Sequence, residues 1–201
     1  MRYNSLEPLA DARKLGVLLV QYPAGFHCTP ENIESVENTL RAFADYPKAI
    51  ELRHKSWSEN RSETNKLLKE NRTSEAFIDE PKFSTSIRQD FKPTGEIFYF
   101  RAHGRNAKAW WKHGESWERY DYLYTRPEIK HLAAKVKQGS SIPGVKKSFA
   151  VFNNHARANS AANAIMLSQE LGERLRAMPS EGMLAKFPDL VQGREKLPKS
   201  G

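Results

Sequence analysis

Five short runs limit what this chain can fold into: GVLLVQY (16–22), KAIELRH (48–54), SEAFID (74–79), EIFYFRA (96–102) and SFAVFNN (148–154). Each has the length of a strand, and three are nearly continuous apolar runs rather than alternating ones. A strand that is apolar on both faces belongs in a parallel sheet covered on both sides. Helical patterns separate most of the runs. Thr29-Pro30-Glu31 reads as a helix start, Thr29 at the N-cap and Pro30 in the first turn. That helix extends to about residue 44, with Ile33, Val36, Leu40 and Phe43 on one face. A second helix covers 59–70. Thr125-Arg126-Pro127-Glu128 fits a capping box opening a helix through Lys137. The last helix begins near Ala156, with Ala164, Leu167, Leu171 and Leu175 as its apolar stripe. Residues 79–96 hold two interior prolines and little helical periodicity, so a loop is expected there. The order predicts an α/β fold, a partial TIM-like β/α barrel of about five parallel strands with helices outside.

The 201 residues, 39% hydrophobic and 28% charged, suit one core. No apolar run is long enough to span a membrane, and the first thirty residues lack the order of a signal peptide. Cys28 is the only cysteine, so no internal disulfide can form, and a cytoplasmic, reducing location is expected. Cys28 also precedes a helix start, a place where a thiol pKa can fall, although a lone loop cysteine is more often a bystander. The net charge is +8, and residues 101–147 carry eleven Lys/Arg against four acids. That stretch interleaves cations with aromatics from Trp110, Trp111, Lys112 and His113 to Trp117, Tyr120 and Tyr122. It reads either as a nucleic-acid face or as packing aromatics beside a solvated helix.

Polar residues close every predicted strand. In parallel α/β folds ligands bind outside the carboxyl ends of the strands, so this repetition matters more than any single residue. Strand parity puts Gln21, Glu51, Arg53, Asp79, Arg101 and Asn153 on the inward face. Two readings of the set compete. In one, Glu51 and Asp79 are ion-paired with Arg53 and Arg101 and only satisfy a polar barrel end. In the other, the arginines clamp a phosphate or carboxylate, and a carboxylate acts as base. The catalytic candidates are then Glu51, Asp79 and His103. The anion-binding candidates are Gln21, Arg53, His54, Arg101, Arg105, Asn153 and Asn154. No cofactor is predicted. His54, His103 and His155 with Asp79 and Glu80 leave a divalent metal open as a third reading, without a local ligand spacing to support it. Gly104 is placed to allow a sharp turn after the fourth strand.

The segments LGVLLVQYPAGF, AIELRHKSW, FIDEP, YFRAHGR, WERYDYLYTRPEI and FAVFNNH…ANAIML occur in order and at fitting distances. As an ordered set, from Leu15 to Leu171, they resemble the YecE-like family, also called domain of unknown function 72. The resemblance implies a TIM-like β/α barrel whose polar motifs lie on the C-terminal face, with no established activity. By position, the family's strand-end residues fall on Gln21 and Pro23, on Glu51, Arg53, His54, Ser56 and Trp57, and on Asp79, Glu80 and Pro81. They continue on Arg101, His103, Gly104 and Arg105, on Tyr120 and Tyr122, and on Asn153 and Asn154. Family members usually carry an earlier stretch with a Gly-Trp motif and further βα units. The resemblance thus implies five of eight strands here, in a truncated chain, a fragment, or one that assembles with another copy or piece through uncovered sheet edges.

The expected organisation is an incomplete barrel domain over 1–178 and a flexible tail over 179–201. The expected function is that of a truncated barrel-type enzyme acting on a phosphate- or carboxylate-bearing substrate. The alternatives are a nucleic-acid-binding protein using 101–147 and a non-functional or assembly-dependent fragment. No membrane partner is expected.

Overall fold

The computed structural model describes residues 6–111, 114–115, 117–175 and 177–190. All five predicted strands form: β1 (Leu18–Gln21), β2 (Lys48–Glu51), β3 (Thr73–Asp79), β4 (Ile97–Ala102) and β5 (Lys147–Phe152). They lie in the order β1-β2-β3-β4-β5. The helices are α1 (Glu7–Asp11), α2 (Pro30–Ala42), α3 (Ser56–Glu59), α4 (Arg61–Glu70), α5 (Arg126–Ser140), α6 (Asn159–Leu171) and α7 (Glu181–Lys186). The fold class is α/β, a partial TIM-like arrangement of five parallel strands. Among the described residues no helix is long and apolar enough to cross a membrane. The chain divides into two compact units. The first comprises 1–77, 82–99 and 142–149, and the second 78–81, 100–141 and 150–201.

In the first unit β1 pairs with β2 in parallel, Leu18 opposite Lys48 and Gln21 opposite Glu51. β2 pairs with β3 the same way, Ala49 opposite Ser74. Ala49, Ala76, Ile97 and Tyr99 form a buried cluster with Val17, Leu19 and Phe149 packed on it. This puts Ser74 and Ala76 on the face of Ala49, and it corrects the expected inward place of Asp79, which alternation puts with Glu75 on the other face of β3. Thr29 caps α2 by accepting a hydrogen bond from the Asn32 N–H at 3.3 Å. The helix buries Val36 and Leu40, as its apolar spacing predicts. On the other face of β3 the fully buried Glu75 pairs with Arg61 at 2.8 Å. Burial still pushes its carboxyl pKa up, against the opposing pull of Arg61 and Gln89. The 79–96 link holds no helix, as expected. Its Thr94 hydroxyl accepts from the Glu75 N–H and donates to the Thr73 carbonyl, which fixes the loop against the start of β3.

In the second unit α5 begins as the capping box requires: Glu128 Oε2 accepts from the Thr125 N–H at 2.9 Å. Its apolar face, Ile129, Leu132, Ala133 and Val136, is buried, and α5 packs with α6. The expected α6 stripe needs correction. Ala164 is exposed, and the buried face is Ala162, Asn163, Met166, Leu167 and Gln169. The start is also later than expected, because Arg157 and Ala158 adopt left-handed backbone angles before the helix begins. A polar residue can lie on that face because Asn163 is saturated. Its Oδ1 accepts from the Tyr124 N–H at 3.0 Å and from Asn154 Nδ2 at 2.8 Å, and its Nδ2 donates to the Tyr124 carbonyl at 2.9 Å.

The expected tail is corrected over residues 179–190, while 191–201 lie outside the described residues. Ser180 caps α7 by accepting from the Met183 N–H, and Phe187 and Leu190 are buried. Arg126 donates to Gln169 Oε1 and to the Asp189 carbonyl. This stretch thus docks through two apolar side chains and its backbone carbonyls, which composition does not reveal. Asn163→Leu keeps the number and branching of the side chain's heavy atoms but strands the buried N–H and carbonyl of Tyr124 and removes one acceptor of Asn154. It is expected to cost about 2–3 kcal/mol, measured as a lower denaturation midpoint at unchanged slope.

Candidate functional site

In the first unit Glu51 and Arg53 share a face, as parity requires. Glu51 is fully buried, and Arg53 donates from Nε at 2.7 Å and sits with Nη2 at 2.6 Å, both on Oε1. The two charges form an internal pair. This geometry matches the pairing reading of Glu51 rather than the role of a carboxylate poised to take a proton. His54 follows. Ser56 accepts the Cys28 N–H on Oγ at 2.7 Å and gives its own proton to His54 Nδ1 at 2.8 Å. The Ser56 N–H points to the same nitrogen at 3.2 Å. With two donors on Nδ1, the ring proton lies on Nε2. The ring stacks on His27 at 3.8 Å. Burial first, then His27 and Lys55, lower the His54 pKa. It is a neutral ring with its imidazole oriented by Ser56. Burial, reinforced by Glu63, raises the Cys28 thiol, the reverse of the effect that a helix start alone would have. Gln21 lies exposed at the end of β1, opposite Glu51.

The second unit carries a larger network. Asp79, at the end of β3, is 8% exposed. Arg105 grips it in bidentate fashion, Nε to Oδ1 and Nη2 to Oδ2, both at 2.8 Å. The Tyr124 hydroxyl donates to Oδ1 at 2.8 Å and accepts from the Gly104 N–H at 2.9 Å. Arg105 also reaches Glu128 Oε1 at 3.1 Å, where the Tyr122 hydroxyl donates at 2.6 Å. Gly104 makes this possible. Its φ of +91° suits glycine, and a Cβ there would stand 2.8 Å from Tyr122 Cβ.

The electrostatics follow from the contacts. Burial opposes ionisation of Asp79, but the hydrogen bonds and charge of Arg105, with Tyr124 and Lys135, outweigh it and hold the carboxyl below the usual aspartate value. Glu128 is also lowered: burial again opposes, and Tyr122, Thr125 and Arg105 prevail. The Tyr122 hydroxyl is pushed up to about 12, by burial and then by Glu128. Tyr124 is raised by burial and Asp79. Two expectations change. Asp79 pairs with Arg105 rather than with Arg101. Arg105, expected to bind an external anion, instead commits its guanidinium to Asp79 and Glu128.

Arg101, Asn153 and His103 form a separate chain of contacts. Arg101 Nη2 donates to Asn153 Oδ1 at 3.1 Å. An arginine can only donate, so the amide oxygen faces it and Asn153 Nδ2 faces His103 Nδ1 at 3.1 Å. The ring proton of His103 is therefore on Nε2. His103 is fully buried, while Arg101 and Asn153 are half-buried. His103 lies 6.3 Å, centroid to centroid, from Tyr120, and Tyr120 lies 5.2 Å from the exposed His155. Asn154 is fully buried, and its Nδ2 donates to the Tyr122 carbonyl and to Asn163.

Trp110 is buried and packs edge-on to Tyr120, while Trp111 and Trp117 are exposed. Lys112 and His113 of that segment lie outside the described residues. Among the described residues no group of three or more His, Cys, Asp or Glu side chains is placed to hold a metal ion.

The family model described as "Protein of unknown function DUF72" matches residues 2–186. The chain belongs to the DUF72 family. It is 30% identical over 171 residues to the UPF0759 protein YunF of Bacillus subtilis, covering 79% of this chain and 58% of that one. Among solved structures it resembles a DUF72 family protein of Thermotoga maritima, with a TM-score of 0.77 and 34% identity, covering 85% of this chain and 63% of the other. A DUF72 family protein of Enterococcus faecalis gives a TM-score of 0.76 and 31% identity, covering 89% and 66%. The chain thus spans less than two thirds of the length of each of these relatives.

Replacing Asp79 in this DUF72 chain tests its network. Asp79→Asn leaves the Arg105 charge without its carboxylate partner and is expected to cost about 3 kcal/mol at pH 7. Because the folded pKa of Asp79 is depressed, its contribution is full above about pH 4 and is lost as pH falls through the folded value. Urea titrations from pH 7 to pH 2 are expected to show that this part of the acid limb is missing from the variant.

Proposed function

We propose that the DUF72 chain binds a small phosphate- or carboxylate-bearing molecule at the carboxyl ends of β4 and β5, with Arg101 as the anion-holding residue. One observation carries this reading: the hydrogen-bond chain from buried His103 through Asn153 to Arg101. A half-buried guanidinium held in one orientation by an amide is suited to planar, paired hydrogen bonding with an anion. His103 acts through Asn153 and is a positioning residue. Its neutral tautomer fixes which end of the amide meets the guanidinium.

The other charged strand-end groups support binding rather than proton transfer. Glu51 and Asp79 are each held by an arginine, so each would have to break its pair to act as a general base. A charge-assisted hydrogen bond contributes about 1.5–3 kcal/mol, so Arg101→Ala is expected to weaken binding of inorganic phosphate, a sugar phosphate or a dicarboxylate roughly ten- to hundredfold. Titration calorimetry on the full chain reads this. His103→Leu is expected to lose several-fold in affinity, and His103→Gln, which restores an acceptor for Asn153, to recover most of it. Equal affinity in wild type and Arg101→Ala, or no binding by the wild type, would reject the reading.

A further inference from the structure

At the amino ends of β2 to β5 the first unit holds a second feature. A cavity of about 530 Å³ opens there, within the roughly 300–1,000 Å³ range of small-molecule sites. Among the described residues its lining carries five cationic side chains against two acidic ones. One acid, Glu96, is already taken by Lys146 at 2.6 Å. Lys48, Lys69, Arg72 and Lys147 then stand against Asp45 alone.

Lys48 is the decisive member. It opens β2, is only 2% exposed and lines the cavity, and among the described residues no hydrogen bond or ion pair reaches its ammonium, which meets the cavity instead of being sealed in the core. A buried charge without a partner is costly and rare in a folded chain. Burial first, then the nearby Arg72, depress its pKa, while Asp45 acts weakly in the other direction. The fold brings a second cation toward the first instead of a carboxylate.

Arg72 adds an independent observation. Its backbone has a φ of +48°, a region that glycine or asparagine occupies more readily. The turn from α4 into β3 gains nothing from arginine, yet the side chain delivered there is a cavity-lining guanidinium. Gly95, by contrast, is required by close approach: a Cβ would stand 2.6 Å from Ser74 Oγ.

We propose that this cavity binds a ligand carrying two or more linked phosphates, of the pyrophosphate or nucleoside-polyphosphate class. Lys48 is its buried cation, and Lys69, Arg72 and Lys147 are its exposed ones. Four cations from three segments exceed what a single phosphate or carboxylate can meet, and the cavity has room for more than one phosphate group. Such a ligand supplies the missing partner of Lys48. The site shares no residue with the Arg101 site and stands or falls separately from it.

The test is titration calorimetry of the full chain with pyrophosphate, ATP and inorganic phosphate at 0.15 M salt. Pyrophosphate or ATP is expected to bind at least tenfold more tightly than phosphate. Preference for ATP assigns a nucleotide and parity assigns the phosphates alone, and either result supports the site. Lys48→Met is expected to lose at least tenfold in that affinity and to melt at a higher temperature than wild type without ligand, because it removes an unpartnered buried charge. Arg72→Asn, which accepts the left-handed backbone, is expected to lose about as much and covers the case in which Lys48→Met does not fold. Arg101→Ala is expected to bind as wild type does. No binding by wild type, or unchanged affinity in both Lys48→Met and Arg72→Asn, would overturn the proposal.

Discussion

The Asp79–Arg105 pair organises the second unit. An ionised carboxylate at the end of a buried strand must be matched, and Asp79 is matched by two parallel N–H···O contacts and a tyrosine hydroxyl. Each partner brings its own requirement. Arg105 can turn back only because Gly104 accepts a positive φ. Tyr124 must be held in place, and Asn163 of α6 does so through both its N–H and its carbonyl. The second charge contact of Arg105 falls on Glu128, the residue that caps α5. A single buried charge thus ties the end of β3, the turn after β4, the start of α5 and the polar face of α6 into one set of contacts. Buried ion pairs add little net stability over apolar packing of the same shape, but a lost partner costs several kcal/mol. The pair therefore acts more on which arrangement forms than on how stable it is.

The same reasoning sorts the strand-end residues by function. A carboxylate held by a guanidinium has a low pKa and little tendency to accept a proton at neutral pH. Asp79 is in that state, and Glu51 is likewise held by a guanidinium. Arg101 donates to the amide oxygen of Asn153, which orients the guanidinium. In a set of residues that looks uniform by composition, the partner of each side chain decides what it can do.

Much of the fold was legible because it depends on short-range rules. The apolar runs gave the five strands, Thr29-Pro30 and Thr125 to Glu128 gave two helix starts, and alternation placed Glu51 and Arg53 on one face. The partner of Asp79 was not legible. Parity was carried one residue out of step on β3: Ala76 takes the face of Ala49, so Asp79 falls on the other one, and Arg105 reaches it through the turn after β4. Tyr124 lies 45 residues from Asp79, beyond any spacing rule. Asn163 was missed for a related reason: an apolar stripe was expected on α6, and a side chain saturated by distant backbone groups does not announce itself in a periodicity. The sign of it is the run Ala161-Ala162-Asn163-Ala164, where a lone amide sits among small residues. Residues 179–190 were misread because composition records side chains, while that segment docks partly through its carbonyls.

Charge counted along the chain also differs from charge assembled by the fold. Residues 101–147 hold +7 of the net +8, which suggested a polyanion surface. Much of that cation content is engaged at home: Arg105 with Asp79 and Glu128, Arg126 with Gln169 and the Asp189 carbonyl, Lys137 with the Glu170 carbonyl, and Lys146 with Glu96. The cations around the strand-entry cavity come from positions 48, 69, 72 and 147, and only the last lies in the basic segment. No window along the sequence collects them, because in a βα repeat the residues that begin successive strands come together only after the intervening helices have folded back. A linear excess of charge is partly neutralised by its own fold. A dispersed set placed at strand entries escapes that neutralisation, and Lys48, buried without a partner, is where its electrostatic cost is concentrated.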